Sequence, residues 1–169
     1  MGFSLRNFDV VHTQHPGHGE TLARQALHDG LRHIVAVGGD GSVNEIVQGI
    51  LTAGLLDTRE VTLAVAPQGT GNDWARSLGI TRDPSRIADA LAAGRTMLHD
   101  VGFIDFPDGG RPRRWFINVA GAGYDAYVSE RVPRPVPSAF TYLRVALNGL
   151  ATYRSPEFRV TAGNETIAG

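Results

Sequence analysis

The stretch that decides the fold is Val35-Ala36-Val37-Gly38-Gly39-Asp40-Gly41-Ser42-Val43-Asn44-Glu45. An apolar run ends at three glycines around one aspartate, and a helical pattern follows. Glycine lets a ligand approach the main chain, and the amides that open a helix favour bound anions. A carboxylate beside phosphates usually acts through a divalent cation or a bound water. The stretch therefore predicts a metal-nucleotide turn at the end of a buried strand.

The composition is that of a globular protein without an obvious nucleic-acid surface. The chain has 169 residues, 42% of them hydrophobic, with 16 basic and 17 acidic side chains and a net charge of -1. This balance argues against a broad electrostatic footprint for nucleic acid. The absence of cysteine excludes disulfides and thiolate metal sites and fits the cytosol. No apolar run approaches the ~20 residues that span a bilayer, so we expect no transmembrane segment.

Strand and helix patterns alternate through the first 95 residues or so. Short β-branched or apolar runs predict strands, and apolar residues at helical spacing predict the helices between them. The predicted strands are 8–13, 33–37 and 61–66, and the predicted helices are 19–30, 43–53, 73–78 and 83–93. This alternation with short connections is typical of an α/β domain with a parallel sheet.

Three loops should meet at one edge of that sheet. Parallel α/β sheets bind ligands at the carboxyl ends of their strands. Thr13, the Gly38–Ser42 turn and the Gln68–Asn72 turn all fall at such ends. Their convergence indicates a ligand site more strongly than any single motif does.

The second of these turns, Pro67-Gln68-Gly69-Thr70-Gly71-Asn72-Asp73, combines two glycines with a hydroxyl, an amide and a carboxylate. A backbone cradle with these side chains suits phosphate oxygens or ribose. Asp73 could cap the following helix or face a ligand, and the two roles are compatible.

The pattern changes after Gly94. Residues 97–106 and 115–119 are predicted as strands around a hairpin-like loop at 107–110, and 158–161 as the start of a last strand. Between them, Gly121–Gly123 breaks the second strand, and a helix is predicted over 138–153 with Ser138 as its cap. We therefore expect an α/β domain over 1–100 and the start of a β-rich domain over 101–169.

The motifs occur in a recognisable order. The chain has Thr13 before Pro-Gly-His-Gly, then Gly-Gly-Asp-Gly-Ser-Val-Asn-Glu, Pro-Gln-Gly-Thr-Gly-Asn-Asp-Trp-Ala-Arg, Asp-Val-Gly at 100–102, and Phe-Ile-Asn-Val-Ala-Gly-Ala-Gly-Tyr-Asp-Ala at 116–126. In this order the chain resembles the diacylglycerol-kinase-like lipid kinases, including the sphingosine and ceramide kinases. Gly-Gly-Asp-Gly alone also suits phosphofructokinases and NAD kinases, and Gly-Thr-Gly-Asn-Asp-Trp-Ala-Arg separates the families.

The resemblance implies a nucleotide-binding domain with a parallel sheet, like those of NAD kinase and phosphofructokinase, followed by a lipid-binding β-sandwich. It implies ATP and Mg²⁺ as cofactors. The implied ATP contacts are Thr13, Gly38, Gly39, Asp40, Gly41, Ser42, Val43, Asn44, Glu45, Gly69, Thr70 and Asn72. Asp40, Asp73 and Asp100 would form the catalytic acidic network around the metal. No residue is assigned as a direct metal ligand, and Asp40 and Asp100 would reach the ion through water.

The implied reaction is transfer of the γ-phosphoryl group of ATP to a lipid hydroxyl, with diacylglycerol as the first expectation. The enzyme would be cytoplasmic and peripheral at the membrane face, and a homodimer is left open. Family members have a first strand with an Asn-Pro-x-Ser-Gly-like loop, which Met1–Asn7 does not match, and a catalytic base late in the second domain. We therefore expect a fragment that is inactive alone.

Two alternatives remain open on sequence grounds. The chain could be a nucleotide-binding module without catalysis, or a kinase for a soluble substrate such as NAD.

Overall fold

The structure, a computed structural model, describes residues 8–54, 57–106, 110–133, 138–157, 159–162 and 164–168. It divides into two compact units, Met1–Val119 and Ala120–Gly169. This division lies after the boundary expected at residue 100, because the hairpin that follows residue 100 belongs to the first unit. The roles of the two parts as nucleotide-binding and lipid-binding domains stay predictions.

The first unit contains a parallel strand pair, a hairpin and four α-helices in its described residues. Its elements are α1 (His18–His28), β1 (His33–Gly38), α2 (Asp40–Thr52), a 3₁₀ turn (Thr58–Glu60), β2 (Thr62–Pro67), α3 (Asp73–Ser77), α4 (Pro84–Ala93), β3 (Gly102–Phe106) and β4 (Arg111–Phe116). Strands β1 and β2 pair in parallel from His33 opposite Thr62 to Gly38 opposite Pro67. Both strands therefore end at the same edge, as the sequence predicts.

The core lies between this strand pair and the helices. One cluster joins Ala36 and Val65 of the strands to Val43 and Val47 of α2 and to Trp74 of α3. A second cluster joins α1 to the end of α2. Helices α1 and α2 approach closely at Gly49, where an added Cβ would lie 2.4 Å from the Glu20 carbonyl oxygen.

The strand predicted over 8–13 is wrong. Residues 8–14 form no strand in the described part of the chain, and Val10 and Val11 are 76% and 64% exposed. β-branched alternation suits a strand, but a strand needs a neighbouring backbone to pair with. The parallel sheet therefore contains two strands among the described residues, where the sequence predicts three.

The hairpin after residue 100 is shorter than predicted and shifted. Strand β3 begins at Gly102, since 97–101 are irregular with Met97 and Leu98 exposed, and β4 ends at Phe116. The two strands pair antiparallel, with an irregularity between Ile104 and Phe106. The predicted loop at 107–110 lies outside the described residues except for Gly110.

The second unit contains α5 (Tyr124–Arg131), α6 (Ala139–Thr152), β5 (Arg159–Ala162) and β6 (Glu165–Ala168). Helix α5 was not predicted, because Gly121–Gly123 marked only the end of a strand pattern. Tyr124 links the two helices by donating a hydrogen bond to the Ala146 carbonyl. The strands form one antiparallel pair, and no β-sandwich is seen in the described part of this unit. Residues 134–137 and Phe158, the first residue of the predicted last strand, lie outside the described residues.

Across the part of the chain that is described, no helix combines the length and apolar character needed to cross a membrane.

Candidate active site

The first glycine turn is the beginning of helix α2. The sequence pattern places the helix start near Val43, but α2 begins at Asp40, with Gly39 as an N-cap that offers no side chain. Gly41 and Ser42 therefore lie in the first helical turn, and both are exposed. An added Cβ at Gly41 would meet no atom within 4 Å, so the surface above this turn is open.

The two glycine loops touch each other. A Cβ at Gly69 would lie 2.6 Å from the Cα of Gly39, and a Cβ at Gly39 would lie 3.0 Å from the Cα of Gly69. The amide of Gln68 donates to the Gly38 carbonyl over 2.9 Å, which extends the β1–β2 pairing into the loops. These glycines are therefore required for backbone packing, whatever their part in binding a ligand.

Asp40 joins the start of α2 to the start of α3. Its two carboxylate oxygens accept hydrogen bonds from the amides of Asp73 (3.1 Å) and Trp74 (3.2 Å). The N-cap of α3, Asn72, makes no capping side-chain bond of its own. Asp40 therefore caps α3 from a different element, and its charge is stabilised by the amides at a helix start.

Asn72 closes the second loop on itself. Its side-chain oxygen accepts from the Gly69 amide (2.9 Å), and its side-chain nitrogen donates to the Gly69 carbonyl (2.6 Å). The residue is 3% exposed and has a left-handed backbone with φ of 53°, which Asn tolerates better than most residues. The side-chain amide of Asn72 therefore fixes the backbone of this loop by bonding both the amide and the carbonyl of Gly69.

Glu45 performs the same task for α1. Its carboxylate accepts from the amides of Gly17 (2.8 Å) and Gly19 (3.0 Å), at the N-terminus of a helix that has no side-chain cap of its own. Asp40 and Glu45, both on α2, therefore each hold the start of a neighbouring helix.

Gln48 is a structural residue that sequence reasoning missed. It is 2% exposed, and its amide pairs with the backbone of Trp115, accepting over 3.0 Å and donating over 2.7 Å. It also donates to Asn44 over 3.2 Å, so Asn44 is engaged within α2. A polar residue within an apolar helical stretch is the sequence signal that could have indicated this anchor for β4.

The remaining predicted site residues are divided between surface and core. Thr13, Ser42, Thr70, Asp73 and Asp100 are exposed. The side chain of Val43 is 2% exposed and belongs to the core, so a ligand can meet only its backbone. Within the described residues, no group of three or more His, Asp or Glu side chains is placed to hold a metal ion.

A small pocket lies beside the second loop. Its volume is about 200 Å³, and Thr70, Arg76 and Arg82 are among its lining residues. Arg76 forms an ion pair with Asp73, and Arg82 donates to the Gly69 carbonyl. Arg82 is a second residue without a predicted role, since a single arginine between two helices carries no sequence signal.

A larger cavity of about 670 Å³ lies in the same unit, with apolar side chains of α2, β2, α3 and α4 in its wall. None of the predicted site residues lines it. The carboxylates with lowered pKa also belong to other elements: Arg59 lowers the pKa of Asp57 to about 2, and Arg113 lowers the pKa of Asp105.

Comparison with known proteins identifies the family. Residues 3–104 match the profile of the diacylglycerol kinase catalytic domain. The chain therefore belongs to the diacylglycerol kinase catalytic domain family, a family of lipid kinases.

Named relatives are of the same kind. The chain is 34% identical over 154 residues to a diacylglycerol kinase of Bacillus subtilis, an alignment that covers 86% of this chain and 47% of the relative. It is 28% identical over 160 residues to a diacylglycerol kinase of Staphylococcus aureus, covering 93% and 47%. The chain thus spans about half the length of these curated relatives.

A solved structure shares the fold. A Bacillus anthracis protein provisionally named a diacylglycerol kinase superimposes with a TM-score of 0.59 at 21% identity, over 94% of this chain and 51% of that one. At this identity the likeness concerns the fold.

Proposed function

We propose that the protein acts as an ATP- and Mg²⁺-dependent lipid kinase that transfers the γ-phosphoryl group to a lipid hydroxyl, with diacylglycerol as the first substrate to test. The observation that carries the proposal is the Asp40 carboxylate, which binds the Asp73 and Trp74 amides and so ties together the two glycine loops. Family membership supports the reaction class, and the contact between the two loops supports this surface as the site.

The loops offer what a phosphoryl-transfer site needs. Kinases depend mostly on positioning and on charge neutralisation, because the protein does little covalent chemistry in this reaction. The exposed first turn of α2 presents Gly41 and Ser42 at a helix start, where backbone amides favour phosphate oxygens. Thr70 adds an exposed hydroxyl on the second loop. We assign the nucleotide phosphates to this surface.

The acidic residues fit a magnesium ion that arrives with the nucleotide. Mg²⁺ keeps several waters and usually takes one or two carboxylates together with substrate phosphates. Asp40 already uses both oxygens on backbone amides, and Asp73 is paired with Arg76. Each carboxylate retains lone pairs that a metal-bound water could use, so Asp40 and Asp73 would hold the ion indirectly. When bound, the ion would neutralise charge on the phosphates.

The wider setting is part of the proposal. We infer a nucleotide-binding architecture like that of NAD kinases for the first part of the chain, a lipid-binding role for the second, and activity at the cytoplasmic face of a membrane. Asp100 is assigned to the same acidic network on its place in the motif order.

The proposal is tested by nucleotide binding and phosphoryl transfer. ATP is titrated into the 169-residue chain with and without Mg²⁺. In a second assay, labelled ATP is supplied with diacylglycerol in mixed micelles, both to this chain and to the product of the complete reading frame. We expect Mg²⁺-dependent ATP binding by the 169-residue chain, and label in the lipid fraction with the product of the complete reading frame. Asp40→Asn should weaken both, since it removes the charge at the joint between the loops. Asp89→Asn, on exposed α4, serves as the matched control.

Two results would contradict the proposal. One is an absence of lipid labelling combined with equal ATP binding by the original chain and Asp40→Asn. The other is transfer to NAD in place of lipid, which would favour a soluble-substrate kinase.

A further inference from the structure

The small pocket beside the second glycine loop has a cationic wall. Thr70, Gly71 and Asn72 line one part of it, and Arg76 and Arg82 line another. None of its lining residues is acidic. A pocket of about 200 Å³ with two guanidinium groups and a hydroxyl is suited to a small anion or to part of a larger one.

Arg82 is held in place on both sides by the segment between α3 and α4. The Ile80 amide donates to the Ala75 carbonyl over 2.9 Å, and the Asp83 amide donates to the Thr81 hydroxyl over 3.0 Å. The Arg82 guanidinium in turn donates to the Gly69 carbonyl. Its position beside the loop is therefore set before any ligand binds, which lowers the entropy cost of using it.

The charge of Arg82 is uncompensated among the described residues. Arg76 has Asp73 as its ion-pair partner, whereas Arg82 donates to a neutral carbonyl, and no described carboxylate forms an ion pair with it. A guanidinium has five N–H donors in a planar fork, and the hydrogen bond to the Gly69 carbonyl uses only one of its nitrogen groups. The exposed remainder can therefore bind two oxygens of one phosphate.

We propose that Arg82, together with the Thr70 hydroxyl, binds the polyphosphate chain of the nucleotide and makes the site select di- and triphosphates over monophosphates. This inference rests on the proposed function, because it assigns the pocket to the same nucleotide. Arg76 forms the adjoining wall, where Asp73 fixes its guanidinium. Contact with the phosphates would come from the second glycine loop as well as from the start of α2.

The experiment measures affinity against phosphate number. ATP, ADP, AMP and inorganic tripolyphosphate are titrated calorimetrically into the 169-residue chain and into Arg82→Gln, Arg82→Lys and the control Arg86→Gln, which changes an exposed arginine on α4 outside this pocket. We expect Arg82→Gln to weaken ATP, ADP and tripolyphosphate by about tenfold, as loss of a charged hydrogen bond predicts, and AMP by less than about twofold. Arg82→Lys should fall between, and Arg86→Gln should match the original chain.

The outcomes separate this inference from the proposed function. If the original chain binds ATP and Arg82→Gln binds it equally, the inference fails and the proposed function stands. Equal losses for ATP and AMP, with a lower thermal midpoint, would show that Arg82 only braces the loop and would also overturn the inference. If Arg82-dependent binding is seen for tripolyphosphate but for no nucleotide, Arg82 belongs to an anion pocket only, and both the inference and the proposed nucleotide site fail. If nothing binds, both fail.

Discussion

Helices α1 and α3, which flank the candidate site, begin differently from helix α4 and from helix α6 of the second unit. The first two have no capping side chain of their own, and their opening amides bind Glu45 and Asp40 on α2. The other two are capped by their own N-cap residues, Asp83 and Ser138. The starts of α1 and α3 therefore depend on tertiary contact with α2, whereas the starts of α4 and α6 depend on local sequence.

The difference matters for function because a distant cap couples two loops. Asp40 is 33 and 34 positions away from the two residues whose amides it binds. Glu45 is 28 and 26 positions away from the two that it binds. A change at either carboxylate should therefore disturb the geometry of another loop, whereas a change at a local cap should affect its own helix. Substitutions can test this contrast directly.

The largest effect is expected where the two glycine loops touch. Gly69→Ala would place a Cβ 2.6 Å from the Gly39 Cα, a backbone atom that cannot rotate away. We expect a loss of about 3 kcal/mol or more in the free energy of unfolding, at or above the upper range for overpacking. Both tryptophans, Trp74 and Trp115, lie in the first unit, so urea unfolding followed by fluorescence reports on it.

Gly41→Ala is the matched control within the same motif. An added Cβ there meets open space, and Gly41 lies within a helix, so the substitution should stabilise the chain by up to about 1 kcal/mol. Destabilisation by both substitutions to the same extent would refute the packing role assigned to Gly69.

The next largest effect is expected at the distant caps. Asp40→Ala removes both acceptors from the Asp73 and Trp74 amides, and we expect a loss of about 2–3 kcal/mol from these charge-assisted bonds. Glu45→Ala should cost a similar amount at α1. Urea unfolding gives both values, and amide hydrogen exchange should show faster exchange at 73 and 74 in the first variant and at 17 and 19 in the second. Unchanged exchange at those amides would show that the distant caps do not form in solution.

Sequence reasoning succeeded where the signals were local. Ser138 is predicted as the cap of α6, and the structure confirms it, since Ser138 accepts from the Thr141 amide. The helix predicted over 83–93 is confirmed as α4, and Asp83 is its N-cap, accepting from the Ser85 amide. The strand predicted over 33–37 is confirmed as β1, and the strand predicted over 61–66 is confirmed as β2, which begins one residue later. Short apolar runs between loop residues are a local signal for a strand. The burial expected for β1 is only partial, since Ala36 is buried but Val37 is 68% exposed.

It failed where partners are distant in sequence. The run 8–13 has the composition of a strand, but a strand exists only if another backbone pairs with it, which composition does not show. The start of α2 was placed at Val43 because the apolar period begins there, whereas Asp40 enters the helix while it binds α3. The glycine motifs were recognised, but the role of Asn72 inside its own loop depends on a left-handed backbone visible only in the structure.

A smaller effect is expected at a local cap. Ser138→Ala removes the acceptor for the Thr141 amide, and we expect a loss of about 1 kcal/mol confined to the start of α6. Circular dichroism gives the helix signal, and hydrogen exchange at 141 gives the local change. Ser138→Asp should restore the cap, since Asp is an equally good N-cap residue. A changed ATP affinity in Ser138→Ala would contradict the distinction between a local cap, which affects its own helix, and the distant caps at the site.

The smallest effect is expected at the exposed ion pair of the hairpin, where Arg113 donates to both oxygens of Asp105. The hydrogen bond from Arg113 holds the pKa of Asp105 below its usual value, so the pair contributes stability above the unfolded-state pKa of about 3.9 and loses it as pH falls through the lower folded-state pKa. Asp105→Asn should therefore lower the urea midpoint slightly at pH 7, and the difference from the original chain should vanish at acid pH. High salt should shrink the same difference, because both side chains are about half exposed. The corresponding test at Asp40 gives the contrast: its hydrogen bonds run to backbone amides of another helix, so salt should reduce the cost of Asp40→Ala by a smaller fraction than the cost of Asp105→Asn. If salt reduced the two costs equally, the site carboxylate would behave as a surface charge, and the distinction between distant caps and local contacts would fall.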